Sequence, residues 1–247
     1  MTLPLTDVIL SSRARGILID GPSPDLLPAD LEEAYQVQTE TALALAPVGG
    51  WKVQPYPERG EPMASPLLRS TVLGDGASIE LSGLAQPAIE AELAVSLKHD
   101  LPPIPGGYGV DEVRDAVASI HLAIEVIGSR FLDRTHMTTL AGVADLQNNE
   151  AVVLGGARSA ENWPEFSRQR IAMFVDGVEV GRVEAGQDTA RTLRSLAWLA
   201  NHAAERGLPL KTRDVVITGA RIGALPLTGD RVTVEGDGFE TVSATLA

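Results

Sequence analysis

Two glutamates, Glu90 and Glu92, stand two positions apart in the segment QPAIEAELAV. The alternation of apolar and polar residues over 89–97 predicts a β-strand. Side chains at positions i and i+2 of a strand share one face and lie about 6.6 to 6.8 Å apart along it. Two carboxylates in such proximity repel each other, and burial increases that cost. A shared cation would relieve both costs.

A third glutamate, Glu125, lies inside the apolar segment HLAIEVI (121–127), which also predicts a strand. Buried carboxylates are rare unless they are paired or bind a metal ion. Pairing with Arg130 is one alternative for Glu125, and a solvated strand face is the ordinary explanation of a lone Glu-x-Glu pair. Three carboxylates in a chain without cysteine favour an oxygen-preferring ion such as Mg²⁺ or Mn²⁺.

The composition narrows the classes of function. The absence of cysteine excludes disulfides, thiolate nucleophiles and cysteine-ligated zinc sites. The formal net charge of −13, without stripes of lysine or arginine, argues against nucleic acid or an acidic membrane as a partner. No apolar run approaches the roughly 20 residues of a membrane span, and no signal-peptide pattern begins the chain. A cytoplasmic protein is therefore expected.

The elements that must position these acids form an α+β pattern. Residues 1–48 read as a helical N-terminal arm, with a first helix capped by Asp7 and a second begun by Asp30 and Glu33 in a capping-box arrangement. Residues 49–247 read as a β-rich catalytic domain, although the two parts could form one continuous domain. No glycine-rich phosphate loop joins a strand to a helix, so nucleotide binding has little support.

Three later elements have clear boundaries in the sequence. Residues 111–119 predict a short helix, and residues 188–206 predict a longer one that ends at Gly207. The segment IAMFV, Asp176-Gly177, VEVGRV predicts a hairpin, because Asp-Gly supplies the positive φ values of a tight turn.

At this point the chain resembles the fumarylacetoacetate hydrolase superfamily, in its 2-keto-4-pentenoate (2-hydroxypentadienoate) hydratase and 4-oxalocrotonate decarboxylase branch. The resemblance extends from residue 34 to the C-terminus. It is most specific in five ordered stretches: QPAIEAELAV, AIEVIGSR (123–130), VADLQNNEAVVLGG (143–156), LAWLANHAAERGLPL (196–210) and DVVITGARIGALPLTGDRVTV (214–234).

The resemblance implies the roles of particular residues. The metal ligands of the family fall on Glu90, Glu92 and Glu125, and its catalytic lysine falls on Lys52 in GGWKV. The implied fold is a mixed β-roll with a helical N-terminal part. The implied ion is Mg²⁺ or Mn²⁺, the substrate a small 2-keto acid, and the assembly a homo-oligomer, with a partner enzyme of the same pathway as a further expectation.

The chain departs from the family pattern at the substrate end of the site. Lys52 is followed by Val-Gln-Pro-Tyr instead of a small segment with glycine and threonine, and Ser70 stands where hydratases often carry an acid. Leu146 replaces the asparagine of an Asp-Asn pair, and the glycine and proline usual near 187–192 are absent. Ser70 and Gly219 are the positions expected to contact substrate.

Three functions follow as hypotheses. The first is a metal-dependent lyase acting on a 2-oxo-enoate, either a hydratase or a decarboxylase. The second is a hydrolase that cleaves a carbon–carbon bond of an acylpyruvate, which the lack of an N-terminal histidine before His99 disfavours. The third is a non-catalytic subunit that binds a keto acid or serves a partner, motivated by the altered segment after Lys52 and by Ser70.

Overall fold

A computed structural model of the protein describes residues 2–45, 47–161 and 163–247. The fold is α+β, as predicted, with two sheets and five α-helices among these residues. The helices are α1 (Pro4–Arg15), α2 (Leu31–Leu45), α3 (Val110–Ala116), α4 (Thr139–Ala144) and α5 (Thr189–Glu205). None of the described helices is both long and apolar enough to cross a membrane.

The described strands form two sheets, and the chain passes from one sheet to the other several times. They are β1 (Val48–Val53), β2 (Ala64–Leu68), β3 (Val72–Gly74), β4 (Ala77–Ile79), β5 (Ala85–Leu97), β6 (Val117–Ser129), β7 (Asn149–Leu154), β8 (Arg158–Ser159), β9 (Ile171–Val175), β10 (Val178–Val183), β11 (Val215–Ile217), β12 (Ile222–Pro226), β13 (Arg231–Gly236) and β14 (Val242–Leu246). The first sheet has the order β2-β1-β11-β5-β6-β7-β3, with β12 beside β5 and β8 beside β6. The second has the order β10-β9-β13-β14-β4.

The antiparallel pair β5 and β6 forms the centre of the first sheet. Each strand has 13 residues and is therefore longer than the predicted strands over 89–97 and 121–127. The predicted helix over 111–119 ends at Ala116, since Val117 takes an extended conformation and pairs with Leu97. Residues 117–120 therefore belong to strand β6, and the side chains of Val117 and Ile120 are buried there.

The predicted hairpin and C-terminal helix are confirmed. Asp176 and Gly177 have φ values of 48° and 78° and connect β9 to β10. The side chain of Asp188 caps α5 by accepting a hydrogen bond from the Arg191 N–H, and Gly207 follows with a φ of 72°. The apolar face of α5 packs into the main core, which lies between the sheets.

The N-terminal helices form with one difference from the prediction. The first helix begins at Pro4, three residues before Asp7, because proline is well suited to a first helical turn and Asp7 then lies inside that turn. The second helix has the expected start, since the Asp30 carboxylate accepts from the Glu33 N–H and the Glu33 carboxylate accepts from the Ala29 N–H.

A buried amide ties α2 to the β-rich part of the chain. The Gln38 side chain donates hydrogen bonds to the carbonyl oxygens of Ala64 and Val143, at 3.2 and 2.7 Å. Helix α2 thus contacts both β2 and α4. The division into an arm of residues 1–48 and a domain of residues 49–247 stays a prediction.

Candidate metal centre

The three acidic residues singled out in the sequence meet on one face of the first sheet. Glu90 of β5 lies directly opposite Glu125 of β6, and Glu92 follows two positions along β5. One carboxylate oxygen from each of the three residues lies within 4.8 Å of the other two. Glu92 and Glu125 are 2% and 0% exposed, so two carboxylates are held out of water beside a third.

Lys52 joins this cluster from β1. Its Nζ donates a hydrogen bond of 2.6 Å to Glu125 Oε1, and the Asn149 side-chain amide donates one of 2.8 Å to the same oxygen. Arg130, the alternative partner of Glu125, instead bonds to Asp145 and Glu150. The pairing of Glu125 with Arg130 is therefore wrong, because Arg130 follows the end of β6 and its side chain reaches the segment after α4.

Two carboxylate oxygens of the cluster lack any partner within the described chain. Glu92 Oε2 and Glu125 Oε2 are both buried and accept no hydrogen bond. An unpaired buried carboxylate is costly, and carboxylate oxygens are the ligands that hard divalent cations prefer. The donor set and the free oxygens therefore fit a divalent metal ion held by Glu90, Glu92 and Glu125.

The pKa values of the cluster also favour a bound cation. Burial and the charge of Glu125 raise the pKa of Glu90 to about 7. Burial, followed by the charges of Glu125 and Glu90, raises the pKa of Glu92 well above its usual value. Burial, the largest single influence, would lower the pKa of Lys52, but the nearby carboxylates of Glu125, Glu90 and Glu92 together outweigh it and raise that pKa. Added positive charge, from a proton or a metal ion, therefore stabilises the cluster of carboxylates.

A cavity of about 390 Å³ opens above the carboxylates. Its polar lining consists of Lys52, Gln54, Glu90, Glu92, Ser129, Arg134, Thr138, Thr139, Gln147 and Asn148, and its apolar lining includes Val53, Pro55, Met63, Ile127, Phe131, Met137 and Val143. Glu125 lies beneath this surface. The cavity is large enough for a small organic acid beside an ion.

Of the two positions expected to contact substrate, only Gly219 lines the cavity. Its φ is 97°, and a Cβ atom there would lie 2.6 Å from Cδ of Pro55, so glycine alone fits. Pro55 belongs to the altered segment after Lys52, which therefore shapes the cavity wall.

The structure does not bring Ser70 to the cavity. Strand β2 ends at Leu68 with its side chain buried, and Ser70 then lies exposed in the 3-10 turn Arg69–Thr71. The neighbouring Arg69 pairs with the buried Asp214, so both residues that follow Leu68 are directed away from the cavity lining.

Three consecutive residues in the segment that borders the cavity adopt a left-handed conformation. Leu146, Gln147 and Asn148 have φ values of 51°, 49° and 58°. Such conformations are uncommon for non-glycine residues and cost on the order of 1 to 3 kcal/mol each. They place Gln147 and Asn148 on the cavity and Asn149 beside Glu125. Sequence reasoning missed Asn149, because only this turn aims its amide at the acids.

A buried ion-pair network supports the end of β6. The Asp145 carboxylate accepts hydrogen bonds from the backbone N–H and the guanidinium of Arg130, and also from Arg13 of α1. Asp145 is fully buried. The N-terminal helix thus contributes, through Arg13, to the segment that carries the cavity wall.

Comparison with known proteins agrees with this geometry. Residues 38–247 match the family model described as fumarylacetoacetate (FAA) hydrolase C-terminal. The chain is 31% identical over 160 residues to the 2-keto-4-pentenoate hydratase of Burkholderia vietnamiensis, covering 65% of this chain and 60% of that protein. It is 31% identical over 172 residues to a 4-oxalocrotonate decarboxylase of Pseudomonas putida, covering 69% and 64%. Each match spans less than two thirds of the relative's length.

Solved structures extend the similarity to nearly the whole chain. The 4-oxalocrotonate decarboxylase from Pseudomonas putida G7, complexed with magnesium and adipate, superposes with a TM-score of 0.83 at 25% identity. That match covers 99% of this chain and 97% of the other. The same enzyme complexed with calcium and acetate has a TM-score of 0.83 at 26% identity, over 99% and 96% of the two chains.

Proposed function

Because this chain belongs to the fumarylacetoacetate hydrolase family, we propose that it is a divalent-metal-dependent lyase acting on a 2-oxo-enoate, as a hydratase or a decarboxylase. The observation that carries the proposal is the convergence of Glu90, Glu92 and Glu125, with two free oxygens, beneath a cavity. The named relatives are a hydratase and a decarboxylase, and one decarboxylase structure holds magnesium. We propose Mg²⁺ or Mn²⁺ as the ion.

When bound, the ion supplies Lewis acidity, which stabilises the negative charge that develops on an enolate. Lys52 is the proton-carrying group of this chain beside the cavity, and its raised pKa keeps it an ammonium at neutral pH. We therefore assign Lys52 as a general acid and as a donor to the substrate's oxygens. Met63, Ile127 and Phe131 of the wall exclude water and strengthen these charged interactions.

The hydrolase alternative has less support. The resemblance implies a water-activating histidine for an acylpyruvate hydrolase, and no histidine lines the cavity within the described residues. Neither named relative is a hydrolase. Location in the cytoplasm, homo-oligomer formation and association with a partner enzyme stay predictions from the resemblance and the composition.

The proposal is tested by assaying the purified protein with a panel of 2-oxo-enoates, with Mg²⁺ and with a chelator. We expect turnover that requires the ion and that falls by more than about 100-fold in Glu92→Gln, since even an indirect contact to a metal ligand is worth about 10- to 100-fold. The exposed Glu80 provides a matched control, because Glu80→Gln removes the same charge outside the cavity. Turnover that persists with chelator, or no turnover with any substrate, would contradict the proposal.

A further inference from the structure

Besides the glutamates and Lys52, a further charged side chain lines the cavity. Arg134 lines the cavity from the 3-10 turn Arg134–His136 and is partly buried there. Within the described chain, its guanidinium forms neither an ion pair nor a hydrogen bond. Its five N–H donors are therefore available to a ligand.

Arg134 has no partner in the described chain, whereas other buried or partly buried arginines do. Arg130 and Arg13 donate to Asp145, and Arg221 donates to the carbonyl oxygen of Gly219. Arg134 also remains without a direct partner although the chain has a net charge of −13. Its charge reaches Glu90, where it acts against the rise of that pKa, but the two groups do not form an ion pair.

The backbone on both sides of Arg134 is anchored. Before it, Phe131 is buried, and the Leu132 N–H donates to the carbonyl oxygen of Ile19. Within the turn, the Asp133 carboxylate accepts from the Thr135 hydroxyl and bonds to the ring of His136. After it, Met137 lines the cavity and packs on an apolar cluster that includes Leu5, Ile9 and Phe131. The turn is thus fixed relative to the cavity.

We propose that Arg134 is a specificity-determining residue that binds a second carboxylate, so that the protein prefers 2-oxo diacids over 2-oxo monoacids. This inference rests on the proposed function, because the 2-oxo acid end is taken to bind at the three glutamates. A guanidinium matches a carboxylate through two parallel hydrogen bonds, which makes it selective for that group. At about 30 Å³ per water-sized group, a cavity of about 390 Å³ has room for a six-carbon 2-oxo diacid.

Calorimetric titration with two matched ligands tests this assignment. The ligands are 2-oxoadipate and 2-oxohexanoate, which have the same chain length and differ at the far end by a carboxylate and a methyl group. With Mg²⁺ present, the wild type is expected to bind 2-oxoadipate at least about tenfold more tightly, a difference of about 1.4 kcal/mol.

Three variants isolate the contribution of Arg134. In Arg134→Met, the preference is expected to fall to within about twofold while the affinity for 2-oxohexanoate is kept, because only the far-end contact is lost. Arg134→Lys keeps the charge but lacks the paired donors, so an intermediate preference is expected. Arg114→Met removes an exposed arginine of α3 outside the cavity and should keep the full preference. Thermal unfolding of each variant confirms its folding.

The outcomes separate this inference from the proposed function. Equal binding of both ligands by the wild type, or a preference kept in Arg134→Met, would overturn the role of Arg134 and leave the proposed function standing. A loss of affinity for both ligands by the same factor in Arg134→Met would also overturn it, because Arg134 would then act only on the charge of Glu90. Failure of the wild type to bind either ligand with Mg²⁺ would overturn the proposed function and this inference with it.

Discussion

The floor and the mouth of the cavity hold their charged groups in different ways. On the floor, Glu90, Glu92 and Glu125 stand on two 13-residue strands, and Lys52 and Asn149 fix one oxygen of Glu125. At the mouth, Arg134 stands on a three-residue turn. Rigid strands suit an ion that demands fixed ligand distances, whereas loops are where binding preference changes most easily. Among the departures from the family pattern, the segment after Lys52 lies in the cavity wall, whereas the three acids are kept.

The largest expected effect concerns the network that connects floor and mouth. Arg130→Met would leave the fully buried Asp145 with fewer partners, and breaking a buried pair in this way costs about 3 to 5 kcal/mol of unfolding free energy. Urea denaturation measures the loss. The matched control is Arg170→Met, because Arg170 and Asp237 form an exposed pair worth less than about 1 kcal/mol. Equal losses in the two variants would show that the network does not support the cavity wall.

The next effect concerns the floor alone. Glu125→Gln removes an anionic ligand and the ion pair with Lys52, so Mg²⁺ affinity is expected to fall by more than about 100-fold. Calorimetric titration with Mg²⁺ measures the change, and Glu80→Gln should bind as the wild type does. Arg134→Met should not weaken Mg²⁺ binding. A variant at the mouth that abolishes metal binding would remove the distinction between the two regions.

A histidine behind the floor gives a pH dependence. Burial lowers the pKa of His202 to about 4, and its ring stacks on Trp198 beside Trp51, the neighbour of Lys52. A histidine with a lowered folded-state pKa binds its proton better when unfolded, so its stability contribution is complete above about pH 6.5 and is lost as pH falls toward 4. We expect the titration of His202 to contribute a loss of about 2 kcal/mol in the free energy of unfolding from pH 7 to pH 5.

Urea denaturation across this range tests the contribution of His202. In His202→Phe the difference between pH 7 and pH 5 should shrink by the same amount, because the ring is kept and the titration is removed. An unchanged pH dependence in the variant would contradict the assignment.

The smallest expected effect concerns the mouth. The Thr138 hydroxyl accepts a hydrogen bond from the Ala141 N–H at the start of α4, and Thr138 lines the cavity. Thr138→Ala should cost about 1 kcal/mol of stability through loss of the cap. Substrate KM should rise while Mg²⁺ affinity is unchanged, whereas Thr212→Ala, outside the cavity, should leave KM unchanged. A fall in Mg²⁺ affinity would show that the mouth also sets the metal site.

Local patterns predicted much of the fold. The Asp176-Gly177 hairpin, the helix over 188–206 and the start at Asp30 each depend on turn or cap residues a few positions apart. The lengths of β5 and β6 could not be predicted, because strand ends are set by partners distant in sequence. The first helix begins earlier than the Asp7 cap predicts, because Pro4 suits the first helical turn.

Local patterns likewise predicted some residues of the candidate site and not others. Glu90 and Glu92 were found because a period of two defines one face, and Glu125 because a carboxylate in an apolar strand is unusual. Asn149 and Arg134 were missed, because their direction depends on a left-handed turn and on a 3-10 turn that no sequence pattern indicated. Ser70 lies outside the cavity for a similar reason, since it stands in an exposed turn, and its contact with substrate stays a prediction.

The most direct test of the metal site is crystallography of the protein soaked with Mn²⁺, with anomalous scattering to locate the ion. We predict one strong peak bonded to oxygens of Glu90, Glu92 and Glu125 at about 2.0 to 2.6 Å, which is lost in Glu125→Gln. A peak elsewhere, or no peak with the three carboxylates still in contact with one another, would contradict the central claim.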